Sequence, residues 1–109
     1  EKIYKRILEI KNITNKKIVV AGLTYKPNVA DLRNSLAIKI FRKLKKKITN
    51  IVAYDPIIET KLAKKLNIEI NFQNIKKADV FIFLVKHDKF KKIYTHIKKN
   101  NKTILDPFS

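Results

Sequence analysis

An α/β fold with a parallel sheet is the architecture this sequence predicts, and two observations carry that prediction. Short apolar runs, Ile18-Val19-Val20-Ala21, Ile51-Val52-Ala53-Tyr54 and Val80-Phe81-Ile82-Phe83-Leu84-Val85, alternate with stretches whose apolar residues recur at helical spacing. The first and last of these runs contain no polar residue, the pattern of parallel strands covered by helices on both faces. With 109 residues, 45% of them hydrophobic, the chain has the size and composition of one domain around a single core.

Taken in order, Glu1 to Ile10 places Ile3, Ile7 and Ile10 at helical spacing and predicts a short amphipathic helix, broken over Asn12 to Asn15. Lys17 to Gly22 is the first strand. Ala37, Ile40, Phe41, Leu44 and Ile48 form one apolar stripe, so a helix begins at Asn34 or Ser35, either a good N-cap. Ile51 to Tyr54 is the second strand. Asp55-Pro56 then predicts a helix start, with Asp as the cap, Pro in the first turn and Ile58, Leu62 and Leu66 as the buried stripe. Ile68 to Phe72 alternates apolar and polar residues, as a strand near a sheet edge does, and Asn74 to Ala78 allows at most a short helix. Val80 to Val85 is the longest apolar run and the predicted central strand. Asp88 can cap a helix that buries Phe90, Ile93, Tyr94 and Ile97, and Thr103 to Leu105 makes the last strand.

Alternating strands and helices with right-handed crossovers give a Rossmann-like three-layer sandwich, strand order 3-2-1-4-5. In that order the chain reverses direction between the first and fourth strands. Ligands of open α/β sheets bind outside the carboxyl ends of the strands at such a switch point. The loop from Gly22 and the loop Lys86-His87-Asp88 are predicted to meet there.

The net charge of +17 invites a second reading, a basic nucleic-acid-binding module. Three features weigh against specific nucleic-acid binding. The only arginines are Arg6, Arg33 and Arg42, and Lys is the poorer side chain for bidentate contacts. The lysines are scattered, as at Lys43 to Lys47, Lys64-Lys65, Lys91-Lys92 and Lys98-Lys99, like solvated helix faces. Joint enrichment in Lys, Ile and Asn suggests an AT-rich genome. With Cys 0, disulfides, thiolate metal sites and cysteine nucleophiles are excluded from this sequence. No apolar run approaches the roughly 18 residues of a membrane span; no signal peptide is visible, and a cytoplasmic location is expected. No His, Asp and Glu cluster has metal-ligand spacing. The chain begins with Glu1, so a fragment of a longer protein is expected.

The loop after the first strand runs Gly22-Leu23-Thr24-Tyr25-Lys26-Pro27-Asn28-Val29-Ala30-Asp31-Leu32-Arg33-Asn34-Ser35, about twice the usual 2 to 6 residues of a βα connection. A dinucleotide fingerprint needs three spaced glycines, and the chain has Gly 1. The loop therefore offers side chains: Lys26 and Arg33 are fixed positive charges suited to phosphates. Each has a plainer reading beside it. Lys26 is one surface lysine among many, Arg33 and Asp31 can pair with each other, and Tyr25 reads as a packing residue framing the site. Asp55 reads chiefly as a helix cap and His96 as solvated. His87 could shuttle a proton, but a hydrogen-bonded structural or subfamily-specificity role is preferred, and no acid–base chemistry is assigned to it.

The segments Gly22-Leu-Thr-Tyr-Lys-Pro-Asn28 and Asp31-Leu-Arg-Asn-Ser35, followed by Val52-Ala-Tyr-Asp-Pro56 and Val85-Lys-His-Asp-Lys-Phe90, closely resemble the carboxyl-terminal domain of the UDP-glucose/GDP-mannose dehydrogenases. The His-containing form is similar to the branch that oxidises UDP-N-acetylhexosamines. The resemblance implies an enzyme with an amino-terminal NAD-binding domain, a helical dimerising middle and this nucleotide-sugar-binding domain. Such an enzyme oxidises the sugar C6 alcohol to a carboxylate in two NAD-dependent steps through a Cys thiohemiacetal, in polysaccharide biosynthesis. It implies that Tyr25 and Lys26 contact the UDP-sugar, that Arg33 reaches NAD held by the other domain, and that Gly22, Asp31 and His87 line the site. Residues 1–15 would be the tail of the linking helical region and 16–109 the nucleotide-sugar-binding domain. The chain departs from the family at its end: an Asp-x-Arg is expected after the last strand, where Asp106-Pro107-Phe108-Ser109 stands. With no catalytic residue of its own, the chain is expected to be inactive alone. A stand-alone binding module left by a split or decayed gene is the alternative.

Overall fold

A computed structural model describes residues 2–10 and 12–106. Its elements in chain order are α1 (Lys2–Leu8), β1 (Ile18–Ala21), α2 (Leu36–Lys47), β2 (Ile51–Tyr54), α3 (Thr60–Leu66), β3 (Ile68–Glu69), β4 (Val80–Phe83), α4 (Phe90–Lys99) and β5 (Thr103–Leu105), with 3-10 turns at Ile13–Asn15 and Phe72–Asn74. The five strands form one sheet in the order β3-β2-β1-β4-β5, every neighbouring pair parallel. The fold class and strand order are those the sequence predicts.

Alternation along the strands divides the core into two layers. Ile18 and Val20 of β1, with Val80 and Ile82 of β4, face a cluster that includes Ile7, Ile40, Leu44 and Ala63 of α1, α2 and α3. Val19 and Ala21, with Phe81 and Phe83, face the opposite cluster, which includes Phe90 and Ile97 of α4. β1 and β4 are buried along their whole length, which is why their sequences carry no polar residue. Tyr54 joins the second layer between Phe72 and Phe90, with ring centroids 6.1 and 6.0 Å away. Burial pushes its phenol up to about 12, aided by the Asp55 and Glu69 carboxylates, so it packs as a neutral group.

Two helix starts differ from the sequence reading. α3 begins at Thr60, capped by Glu59, whose carboxylate accepts the Lys61 N–H at 3.0 Å; Asp55 is not its cap. Starting later turns the helix: Ala63 faces the core, while Leu62 and Leu66 are 36% and 39% exposed. Ile58, buried ahead of the helix, does belong to the core. α4 begins at Phe90 after Lys89, with no side-chain cap, so Asp88 does not fill that role either. β3 is shorter than predicted because the Glu69 carboxylate turns back to accept the Ile70 and Asn71 N–H groups at 3.1 and 2.9 Å, ending the strand. Phe72, freed from the strand, packs beside Phe81 in the second layer.

Gly22 ends β1 at the sheet's carboxyl edge with φ +89°, and a Cβ there would stand 2.2 Å from the Val85 carbonyl oxygen. Only glycine allows the chain to leave β1 directly against the end of β4. Gly22→Ala is expected to lower stability by about 2 kcal/mol or more, measured by urea denaturation; an unchanged midpoint would contradict this packing.

Candidate functional site

The two switch-point loops are joined by a buried polar network centred on Asp55, the residue after β2. Asp55 is fully buried, and Thr24, Ser35 and His87 are nearly so. Its Oδ2 accepts the Leu23 N–H at 2.8 Å and lies 3.0 Å from His87 Nε2. Its Oδ1 accepts the Ile57 N–H at 3.2 Å. One carboxylate therefore ties the end of β2 to the loops that follow β1 and β4.

From β4, His87 reaches into the Gly22 loop. Its Nδ1 accepts the backbone N–H of Asn28 at 2.9 Å, and the Asn28 side chain answers by accepting the Asp88 N–H at 2.8 Å. Thr24 Oγ1 donates to the Lys26 carbonyl at 3.0 Å and lies 3.4 Å from His87 Nε2. Asn28 and Asn34 hold positive φ, a backbone conformation that Asn tolerates better than most residues. Ser35 closes the loop: its hydroxyl donates to the Leu23 carbonyl and accepts the Ile38 N–H at 3.2 Å, capping α2. The neighbouring Lys86 ammonium pairs with Asp106, beyond β5, at 2.8 Å.

What this framework presents to solvent is side chains. Lys26 is exposed, and Tyr25 is 60% exposed. Between Tyr25 and Asp31 the loop doubles back, the Tyr25 N–H donating to the Asp31 carbonyl at 2.7 Å. Asp31 and Arg33 form a bidentate pair at the surface, Nε to Oδ1 at 3.1 Å and Nη2 to Oδ2 at 3.0 Å. Hydrogen bonds from Arg33 hold the Asp31 carboxyl below its ordinary value, and Asp31 in turn raises Arg33. The pair takes no part in the buried network. Gly22 itself faces the Val85 backbone. Beside His87, an open cleft of about 500 Å³ runs toward α4, floored by Phe83, Phe90 and Tyr94 and flanked by Lys86, Lys91 and Lys98.

The residue the sequence reading misplaced is Asp55, at the centre of the buried network. Asp55-Pro56 looks like a helix start, yet Asp55 stands at the carboxyl end of a strand, where α/β proteins build their sites. Among the described residues no group of His, Cys, Asp or Glu is placed to hold a metal ion, and no helix is long and apolar enough to cross a membrane. Residues 107–109, where the family resemblance expects an Arg, lie outside the described residues.

Fold and loops together define an open parallel α/β domain whose switch-point loop presents exposed side chains and carries no glycine-rich backbone cradle. The chain belongs to the UDP-glucose/GDP-mannose dehydrogenase family: residues 19–109 match its UDP binding domain. It is 38% identical over 88 residues to a UDP-N-acetyl-D-mannosamine dehydrogenase of Campylobacter jejuni, covering 75% of this chain and 22% of that protein. It is 32% identical to Protein CapL of Staphylococcus aureus, covering 97% of this chain and 26% of that protein. The structure of the UDP-N-acetyl-mannosamine dehydrogenase Cap5O from Staphylococcus aureus superposes with a TM-score of 0.72 at 32% identity, covering 99% of this chain and 26% of that one. The chain thus spans about a quarter of the length of these relatives.

Asp55→Ala removes the acceptor of a buried N–H and of a buried imidazole at once. It is expected to cost about 3 kcal/mol of stability in chemical denaturation, whereas a loss below about 1 kcal/mol would show that Asp55 does not hold the loops together.

Proposed function

We propose that this chain is the UDP-sugar-binding domain of an NAD-dependent dehydrogenase that oxidises the C6 alcohol of a UDP-N-acetylhexosamine to the uronic acid, for polysaccharide biosynthesis in the cytoplasm. Residues 1–15 continue a linking helical region, and 16–109 form the binding domain. The observation that carries this reading is the contrast within one loop. Its backbone is anchored at Leu23, Asn28 and Ser35, while Tyr25 and Lys26 between the anchors stand in solvent. A fixed backbone with exposed cationic and aromatic side chains limits the ordering cost of binding.

In this reading the Lys26 ammonium neutralises the pyrophosphate as a point charge, and the Tyr25 ring lies against the nucleotide. NAD is the implied cofactor of the whole enzyme, and this chain's glycine loop does not fit it. The space a pyrophosphate would use at Gly22 is filled by the Val85 carbonyl, and the first turn of α2 is already capped by Ser35. Arg33 is the side chain this domain offers to a dinucleotide bound by a neighbouring domain. Its pairing with Asp31 orients the planar guanidinium while leaving it 88% exposed.

Isothermal titration of the chain with UDP tests this directly. Lys26→Ala is expected to weaken UDP binding about tenfold or more with an unchanged unfolding curve, since Lys26 is exposed. Undiminished affinity in the variant would sink the assignment.

A further inference from the structure

We propose that His87 is the positioning residue of the ligand loop, a latch that holds the Tyr25–Lys26 segment only while its imidazole is neutral and carries its proton on Nε2. The proposal rests on the UDP-binding reading of that loop and adds to it what fixes the loop and what releases it.

The tautomer follows from a count of donors and acceptors. The Asn28 N–H points at Nδ1 at 2.9 Å, and a backbone N–H can only donate, so Nδ1 bears no proton. Nε2 then carries the hydrogen, and both groups beside it can receive one. Asp55 Oδ2 lies at 3.0 Å. Thr24 Oγ1 has given its own proton to the Lys26 carbonyl, so toward His87 at 3.4 Å it can only accept. The Asp55 carboxylate thereby selects the tautomer whose other nitrogen holds Asn28. Asn28 lies two residues beyond Lys26, and Thr24, which contacts the same ring, lies two residues before it. The imidazole grips the segment that presents Lys26 on both sides.

Protonation breaks this arrangement at one atom. A hydrogen on Nδ1 would face the Asn28 N–H, two donors opposed with no acceptor between them. The contact with Asp55 would persist as an ion pair, so the ring keeps its place and the loop gives way. Among the described residues, Asp55 at the end of β2 is the charged group in contact with the ring. The β1 loop contributes the Thr24 hydroxyl and the Asn28 N–H, and α4 contributes the uncharged Phe90 ring at 5.1 Å. On the adjacent cleft wall, Lys86 is engaged by Asp106, and Asp88, Lys91 and Lys98 line the cleft alongside His87. A proton placed on Nδ1 is expected to loosen the loop and lower nucleotide affinity, and the window in which to look for it is about pH 8 to pH 5.

The test is an NMR titration of the isotope-labelled chain across that range, following the His87 ring nitrogens and the amides of residues 25–29. It is paired with affinity measurements for UDP-N-acetylglucosamine, whose pyrophosphate diester keeps a constant charge. At the alkaline end Nε2 should be protonated and Nδ1 bare. On acidification Nδ1 should gain its proton, the Lys26 and Asn28 amides should shift with the same midpoint, and affinity should drop about three- to tenfold. His87→Asn, which offers an oxygen near the Nδ1 position and does not titrate, should abolish the pH dependence of both loop and affinity. A proton on Nδ1 at the alkaline end, a ring that takes no proton down to the acid end, or a ring that titrates while the loop amides stay still would each overturn the latch. So would an unaltered pH dependence in His87→Asn. If ring and loop titrate together but the sugar nucleotide binds at neither extreme, the latch stands and the UDP-binding reading fails.

Discussion

A carboxylate withdrawn from the surface must be surrounded by donors, and Asp55 obtains them from three separate places in the chain. Leu23 N–H comes from the β1 loop, Ile57 N–H from its own turn and the His87 ring from the β4 loop. Satisfying that one group draws the carboxyl ends of β1, β2 and β4 into a single polar knot. The segment that presents Tyr25 and Lys26 is hung from it. The Gly22 loop is long enough to wander, yet its backbone is held at Leu23 through Asp55, at Asn28 through His87, and at Ser35 by the α2 cap. Anchors under the loop and exposed side chains on top are two aspects of one arrangement.

The charge balance of the molecule follows a related logic. Most acidic side chains in the described residues are spent on backbone N–H groups rather than on lysines. Asp79 accepts the Lys17 N–H, Glu59 caps α3, and Glu69 terminates β3. The net charge of +17 already counts these carboxylates. It produces a positive field around the whole domain. For a doubly charged pyrophosphate such a field raises the rate of encounter, falling as salt screens it. A diffuse field of this kind supplies no selectivity by itself.

Much of this was legible in the chain. The alternation of apolar runs with helical stripes gives the α/β class and right-handed crossovers give the strand order, and β1 and β4 are wholly apolar because both of their faces are buried. The single glycine at the end of β1 correctly placed the switch-point loop, and His87 was expected to be a hydrogen-bonded residue. Asp55 was not read as such. A cap and a buried network acceptor look alike in sequence, because both put Asp before Pro at the end of a strand; which N–H groups the carboxylate meets is decided by residues some 32 positions away in each direction. The misplaced start of α3 follows from the same ambiguity, since a helix beginning at Asp55 would have put Leu62 and Leu66 inward.

In the proposed function, ligand meets this domain at loops fixed by the Asp55–His87 knot. Mapping amide chemical shifts on titrating the labelled chain with UDP tests it most directly. The large shifts are expected on residues 22–35 and 86–88, at the carboxyl ends of β1 and β4. Shifts confined to the groove between α2 and α3, at Phe41, Arg42 and Lys64, with the two loops unmoved, would contradict it.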